Sequence, residues 1–134
     1  MRFMMMIKAS PGDFAGPPPA ALEAAIGRHI EEMTKAGVLV TTGGLAPPSD
    51  GATIRVANGR LSVVDGPFAE AREFVGGFAI VRAASRDEAI QRGRQFLQLH
   101  IDALGDAYSG ELEIRQVFGP EEDTLMASGA EGGH

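Results

Sequence analysis

The dipeptide Asn58-Gly59 is the feature that most constrains how this chain can fold. It separates two stretches of strand-like composition, at residues 53–57 and 60–65. Asn and Gly readily adopt the two positive φ angles of a type I′ turn, which joins adjacent antiparallel strands. The sequence therefore predicts a tight β-hairpin in the middle of a chain whose 134 residues suffice for one domain.

Two amphipathic helices are predicted on either side of this hairpin. The first follows a loop rich in proline and glycine and is expected to end at Gly37, because glycine commonly adopts the left-handed conformation after a helix. The second is expected to begin at Ser85, which forms a capping box with Glu88, and to end near Gly105. Apolar residues recur at helical spacing in both, which predicts a buried stripe on each. The stripes comprise Leu22, Ala25, Ile26, Ile30 and Met33 in the first helix, and Ala89, Ile90, Gly93, Phe96, Leu97, Ile101 and Leu104 in the second.

Four further strands are predicted from apolar patterning, at residues 2–8, 38–41, 77–81 and 112–118, with a long loop from 43 to 51 and a short polar turn at 69–73. The resulting order is strand, helix, strand, hairpin, strand, helix, strand. This order predicts an α+β, ferredoxin-like split βαβ sandwich, in which an antiparallel sheet carries two helices on one face.

The opposite face of the predicted sheet has no helix to cover it. We expect it to carry Met4, Met6 and Val64 as exposed apolar surface. Such surface usually marks an interface or a ligand site. The sequence therefore predicts a homodimer formed sheet to sheet, with clefts at its edges.

The stretch VVDGPFAEAREFVGGFAIV, at residues 63–81, resembles the defining segment of the DGPF branch of the YCII-related family. Further likeness lies in the opening strand, the helix end at Gly37 and the final strand around Glu113, so the resemblance covers residues 1–118. It implies a dimeric α+β barrel fold, which agrees with the element order above. This chain departs from its apparent relatives at Gly43, where members commonly carry Glu, and at Arg72, where they often carry Lys.

YCII-type proteins also resemble one another in a His–Asp pair proposed as catalytic, with the histidine on the first helix. Counted back from Gly37, that position falls near Ile26, and His29 lies about one turn away. The pair is therefore not carried over to this chain.

Composition and charge exclude several classes of function. The chain has no cysteine, which rules out disulfides and thiolate chemistry and makes a cytoplasmic location the default. Its formal net charge of −6 argues against a nucleic-acid partner. No apolar run suits a signal peptide or a membrane span. Residues 1–120 are predicted to form the domain, and the acidic, glycine-rich residues 121–134 a disordered tail.

Candidate site residues fall into three groups. Asp65 and Glu70 flank the DGPF turn, where the carboxylates either cap the turn or serve as paired acid and base, and Phe68 of the same turn is a candidate substrate contact. Lys8, Glu113 and Arg115 are expected to share the open sheet face, as an ion-pair cluster or as anchors for an anionic ligand. His29 is either a structural histidine or a general base. No histidine spacing or nucleotide motif indicates a metal or cofactor, so none is predicted.

Two classes of function remain open from the sequence. The first is a cofactor-free acid–base enzyme for a small polar or anionic metabolite, with Asp65, Glu70, Glu113 and His29 as proton carriers and Lys8 and Arg115 as anchors. The second is a non-catalytic small-molecule binding or regulatory dimer, which the family resemblance links to sigma-factor-dependent transcription. A pocket floor lined by carboxylate and histidine would favour catalysis, whereas an apolar floor with cations at its rim would favour binding.

Overall fold

The computed structural model describes residues 1–10, 18–65 and 74–119. Within these ranges the chain forms six strands, two α-helices and two short 3₁₀ turns, at Pro48–Asp50 and Gly105–Ala107. The main elements are β1 (Arg2–Ala9), α1 (Ala20–Lys35), β2 (Leu39–Gly44), β3 (Ala52–Ala57), β4 (Arg60–Asp65), β5 (Phe74–Arg82), α2 (Arg86–Leu104) and β6 (Leu112–Val117).

Four of the strands form one antiparallel sheet in the order β2-β5-β1-β6. The first and last strands of the chain are therefore neighbours, and each strand that follows a helix pairs with a strand distant in sequence. This is the strand order of a split βαβ unit with a hairpin inserted between its second and third strands. The predicted α+β, ferredoxin-like fold is confirmed.

The core lies between the sheet and the two helices. Phe3, Met5 and Val81 contribute from the sheet, Met33 from α1 and Ala89 from α2, all less than 9% exposed. Phe3 and Met5 alternate with Met4 and Met6 on β1, so one face of the strand meets the helices while the other faces away from them. Both helices accordingly cover the same face of the sheet.

The predicted helix boundaries are confirmed at the residues that signal them. Helix α1 begins after Pro19 and ends before Gly37, which has φ 73°. At the start of α2 the Ser85 hydroxyl accepts a hydrogen bond from the Glu88 N–H (3.1 Å), and the Glu88 carboxylate accepts one from the Ala84 N–H (3.2 Å). The first bond satisfies a backbone donor that the first helical turn leaves without a partner, and the second ties the Glu88 side chain back to the residue before the N-cap.

The buried stripe of α2 differs from the prediction in its last turns. Ala89, Gly93 and His100 are buried, whereas Ile101 is 45% exposed. Residues 89, 93, 96 and 100 follow the helical repeat and face the core, and Ile101 lies one step around the helix. His100 is accommodated because its Nδ1–H donates a hydrogen bond to the Phe96 carbonyl oxygen at 3.0 Å.

Strand β2 is longer than predicted and includes Gly43 and Gly44, which were expected in a loop. Thr42, Gly43 and Gly44 pair with residues 79, 78 and 77 of β5. A Cβ on Gly43 would lie 3.1 Å from the Phe78 ring. The glycine thus allows the ring to lie against the strand, and pairing with a distant strand overrides the local preference of glycine for a loop.

The hairpin is confirmed, but it stands apart from the main sheet. Strands β3 and β4 pair only with each other in a separate two-stranded sheet, joined through Asn58 (φ 52°) and Gly59 (φ 73°). Val64 therefore does not share the open face of the main sheet with Met4 and Met6, as the sequence led us to expect. The predicted turn at 69–73, the loop at 11–17 and the tail at 121–134 lie outside the described residues.

Candidate functional site

A cavity of about 320 Å³ lies between α1, α2 and the helix-covered face of the sheet. Its volume falls at the lower end of the roughly 300–1,000 Å³ typical of small-molecule pockets. Apolar side chains such as Ile7, Ile26, Ile30 and Leu112 form most of its lining. The cavity can therefore enclose a small molecule that is apolar over most of its surface.

The strands form a glycine-rich wall on one side of this cavity. Gly43, Gly44 and Gly77 all line it. A Cβ on Gly77 would lie 3.3 Å from both the Gly43 carbonyl oxygen and the Ile7 side chain, so the backbones approach closely here. The Thr42 hydroxyl, also in the lining, already donates to the Phe78 carbonyl at 2.9 Å. This wall therefore lacks protruding side chains, and its polar groups are already largely hydrogen-bonded within the sheet.

His29 and Arg92 are the ionisable residues among the described residues of the lining. Both are half-buried, and they come from different helices. Burial lowers the pKa of His29 from its ordinary 6.5, while Glu32 acts to raise it and Arg92 to lower it. The imidazole is accordingly neutral at neutral pH, and the Arg92 guanidinium is the fixed positive charge at the cavity.

A row of rings extends from His29 along the interface between the two helices. The His29 and Phe96 ring centroids are 6.2 Å apart, those of Phe96 and His100 are 4.9 Å apart in an edge-to-face arrangement, and those of His100 and Tyr108 are 5.2 Å apart. Such spacings are those of favourable aromatic contacts. The row connects the cavity to the 3₁₀ turn that follows α2.

Lys8, Glu113 and Arg115 lie on the other face of the sheet. The Lys8 ammonium is 3.1 Å from one carboxylate oxygen of Glu113, and the Arg115 Nε is 4.0 Å from the other. Glu113 follows Leu112, which lines the cavity, and strand alternation therefore turns it to the open face. The three charges converge on one surface, where the carboxylate is shared between two cations.

The residues predicted from the sequence are thus divided between separate places. His29 lies at the cavity, and the sheet separates it from Glu113, Lys8 and Arg115. Asp65 is the last residue of β4, where its backbone pairs with Ala52. Glu70 and Phe68 lie outside the described residues. A single site containing all the proposed proton carriers and anchors does not form from the described residues.

No group of three or more His, Asp or Glu residues among residues 1–10, 18–65 and 74–119 is placed to hold a metal ion. Within the part of the chain that the structure describes, no helix is sufficiently long and apolar to span a membrane.

Sequence reasoning missed Arg92 as a site residue. Arg92 reaches the cavity because α1 and α2 pack side by side, which places it near His29 although 63 positions separate them in sequence. The sequence of α2 nevertheless contains a pattern that could have indicated Arg92. Arg92 immediately precedes the buried Gly93 and lies one turn before Phe96, at the edge of the apolar stripe, where a long cationic side chain can follow the apolar surface outward.

Comparison with known proteins places this architecture in a family. The sequence model of the YCII-related domain matches residues 1–96, and the chain belongs to this family. Over 63 residues it is 42% identical to an uncharacterised protein of Rhizobium meliloti (strain 1021), an alignment that covers 47% of this chain and 51% of the relative. The chain thus spans about half the length of the curated relative that it matches. Membership of the DGPF branch stays a prediction.

Proposed function

We propose that this YCII-related chain binds a small, mainly apolar molecule carrying an anionic group such as a carboxylate. The observation that supports this is the lining of the cavity, in which apolar side chains and glycines surround two basic residues, His29 and Arg92. Among the described lining residues there is no carboxylate. An apolar floor with a cation at its edge favours ligand capture over carboxylate-assisted chemistry.

Arg92 is the residue that we expect to fix the orientation of the ligand. A guanidinium presents paired donors that match a carboxylate, and such charge-assisted hydrogen bonds are stronger than neutral ones. His29 adds a further donor or acceptor across the helix interface. The apolar part of the ligand then lies against Ile7, Ile26 and Ile30, away from water.

Binding of matched ligand pairs tests this proposal. Small aromatic and branched aliphatic carboxylates, such as phenylacetate, are compared with their neutral amides by calorimetry and by thermal shift. We expect carboxylates to bind more tightly than amides. Arg92→Gln should weaken carboxylate binding by roughly 10- to 100-fold, as expected for loss of an ionic hydrogen bond worth about 1.5–3 kcal/mol, and should change amide binding little.

Arg94→Gln is the matched control for Arg92→Gln. Arg94 lies two positions along the same helix, is exposed and does not line the cavity. Lys8→Gln provides the control for the open face, where the ion-pair cluster was predicted to anchor an anion. Equal effects of Arg92→Gln and Arg94→Gln, or a dependence on Lys8 alone, would contradict the assignment of the ligand to the cavity.

Acid–base catalysis in the same cavity is the second candidate. It is favoured by the lowered pKa of His29, because a neutral imidazole can accept a proton from a bound ligand. In this form of the proposal Arg92 stabilises the negative charge that develops on the ligand as the proton leaves. No cofactor is needed for such a proton transfer.

Proton exchange on a bound 2-keto acid distinguishes catalysis from binding. Phenylpyruvate carries acidic protons beside its carbonyl group, and their replacement by deuterium in heavy water is followed by proton NMR. An enzyme should accelerate the exchange, and His29→Gln should abolish the acceleration while phenylpyruvate still binds. Exchange at the uncatalysed rate in the presence of bound phenylpyruvate would leave the binding function and reject the catalytic one.

A further inference from the structure

The side chains that β2 and β5 turn toward the helices become smaller along the cavity wall. In register, the facing pairs are Leu39 with Val81, Thr42 with Ala79, and Gly44 with Gly77. Val81 belongs to the core, so these pairs lie on the helix-covered face, and all six residues line the cavity. The wall therefore has full side chains at one end and none at the other, which leaves room beside the two glycines.

Gly44 is also the end of a row of residues that crosses the whole sheet. The register pairs in this row are Gly44 with Gly77, Gly77 with Ile7, and Ile7 with Leu112. All four line the cavity. Neighbouring strands lie about 4.8 Å apart, so the row spans roughly 14 Å from β6 to β2. The cavity thus extends across the sheet, over side chains on β6 and β1 and over bare backbone on β5 and β2.

Arg92 and Gly44 belong to elements at opposite sides of this row. Arg92 is part of α2, which packs against β1 and β6, whereas α1 packs against the edge strand β2. A ligand whose carboxylate is held by Arg92 therefore extends toward β2. Its far end then lies between the bare backbone at Gly44 and the α1 side chains of the lining, Ile26 and Ile30.

The two glycines differ in what keeps them free of a side chain. A Cβ on Gly77 would crowd Ile7 and the Gly43 carbonyl oxygen at 3.3 Å, whereas a Cβ on Gly44 would meet no atom of another described segment within 4 Å. The φ of Gly44 also lies outside the positive range that favours glycine. Neither backbone conformation nor packing within the described residues thus requires glycine at position 44.

We propose that Gly44 determines the size of the ligand. Because it has no side chain, it leaves room for the far apolar end of an elongated carboxylate such as 4-phenylbutyrate. A side chain at this position would occupy that room and spare short carboxylates, whose apolar part ends nearer to Arg92. This inference deepens the proposed function and rests on it, since Arg92 holds the carboxylate in both.

A series of acids that differ only in length tests the role of Gly44. Phenylacetate, 3-phenylpropionate and 4-phenylbutyrate share both end groups and differ by one methylene at each step. With the natural sequence, each buried methylene should tighten binding about fourfold. By calorimetry, Gly44→Val should weaken binding of 4-phenylbutyrate by at least about 10-fold and of phenylacetate by less than about threefold. Valine favours strands, so the fold should persist, which thermal unfolding checks.

Thr41→Ile is the matched control for Gly44→Val. Thr41 lies on the same strand, is exposed and does not line the cavity. It pairs with Ile80, which also pairs with Met4 on the open face. The control thus adds a branched side chain to β2 on the side away from the cavity, and it should leave binding of all three acids unchanged.

Protection of a thiol provides a second measurement that does not require a filled cavity. The chain has no cysteine, so Gly44→Cys and Thr41→Cys each introduce one thiol. Saturating 4-phenylbutyrate should slow the reaction of the thiol at position 44 with iodoacetamide, and phenylacetate should slow it less. The thiol at position 41 should react at the same rate with and without either acid.

The outcomes separate this inference from the proposed function. Equal weakening of all three acids by Gly44→Val, or no protection at position 44 while 4-phenylbutyrate is bound, would overturn the role of Gly44 and leave carboxylate binding intact. If 4-phenylbutyrate and its neutral amide bind equally and Arg92→Gln changes neither, the proposed function fails, and the effect of Gly44→Val on the amide decides the role of Gly44. Absence of binding by every acid and amide would reject both.

Discussion

The two faces of the four-stranded sheet both carry ionisable side chains, but in different surroundings. On the helix-covered face, His29 and Arg92 border an apolar cavity, and burial lowers the pKa of His29. On the open face, Glu113 lies between Lys8 and Arg115, and the Glu113 side chain is 43% exposed. The helix-covered face thus has a charged side chain at the border of an apolar cavity, whereas the charged side chains of the open face form ion pairs near water.

A charged side chain at the cavity and an ion pair on the open face therefore differ in what they indicate about function. A charge that borders an enclosed apolar space has few protein partners and acts strongly on any ligand that enters. A charge that is already paired near solvent is screened and contributes little to stability. Proximity of acids and bases on the open face is therefore weaker evidence for a site than one guanidinium at the cavity.

The largest contrast is expected between neighbouring residues of β1. Phe3 is buried on the helix-covered face, and Phe3→Ala should reduce the free energy of unfolding by about 3–5 kcal/mol. Met4 is half-buried on the open face, so Met4→Ala should cost clearly less. Urea unfolding at a concentration where the chain is monomeric measures both. Equal losses would show that the open face is buried as completely as the other.

Two helix glycines give the next contrast. A Cβ on Gly93 would lie 3.1 Å from Ile114 and 3.2 Å from Leu112, so Gly93→Val should overpack the contact of α2 with the sheet and cost about 1–3 kcal/mol. A Cβ on Gly27 of α1 would meet no atom of another described segment within 4 Å, so Gly27→Ala should stabilise by about 0.5–1 kcal/mol through helix propensity. Thermal unfolding of the two variants should show shifts of opposite sign.

A smaller effect is expected on the open face. Glu113→Gln removes the charge shared by Lys8 and Arg115, and because these side chains are partly exposed the cost should be only about 0.2–1 kcal/mol. Glu31→Gln, which breaks the exposed pair with Lys35 (3.2 Å), is the surface control. The cost of Glu113→Gln should diminish in high salt. A loss above that range would instead indicate that a partner buries the cluster.

The smallest expected effect is a pH dependence arising from His29. Its pKa is lowered in the folded chain by burial, with Glu32 and Arg92 acting in opposite directions. The unfolded chain therefore binds a proton more readily, so this contribution is complete above pH 6.5 and is lost as the pH falls through the lower, folded pKa. Comparing unfolding of the natural sequence and His29→Gln between pH 7.5 and 5 isolates it, and identical slopes would contradict the direction of the shift.

Local signals in the sequence predicted the elements whose ends depend on a few adjacent residues. Gly37 ends α1 with a positive φ, Ser85 and Glu88 begin α2, and Asn58-Gly59 form the hairpin turn. Each is a property of a short segment, because the backbone angles and capping bonds involve only neighbours. The strand order could be predicted from the order of the elements, because few topologies join these elements compactly.

The errors arose where distant segments meet. Gly43 and Gly44 extend β2 because β5 pairs with them. The residues next to them in sequence do not predict that pairing. His100, rather than Ile101, lies in the buried stripe because its Nδ1–H donates to the Phe96 carbonyl oxygen and its ring packs against Phe96 and Tyr108. Arg92 and His29 meet only through helix packing. The candidate site is therefore less predictable from sequence than the fold that builds it.

The row of rings between the helices also supplies an optical probe. Tyr108 is the one tyrosine of the chain, and the chain contains no tryptophan. Its ring lies 5.2 Å from His100, at the end of the row that begins at His29 beside the cavity. Ultraviolet emission of the natural protein thus comes mainly from a single phenol, in contact with an imidazole that can quench it. Changes in the helix interface can be followed by tyrosine fluorescence without attaching a label.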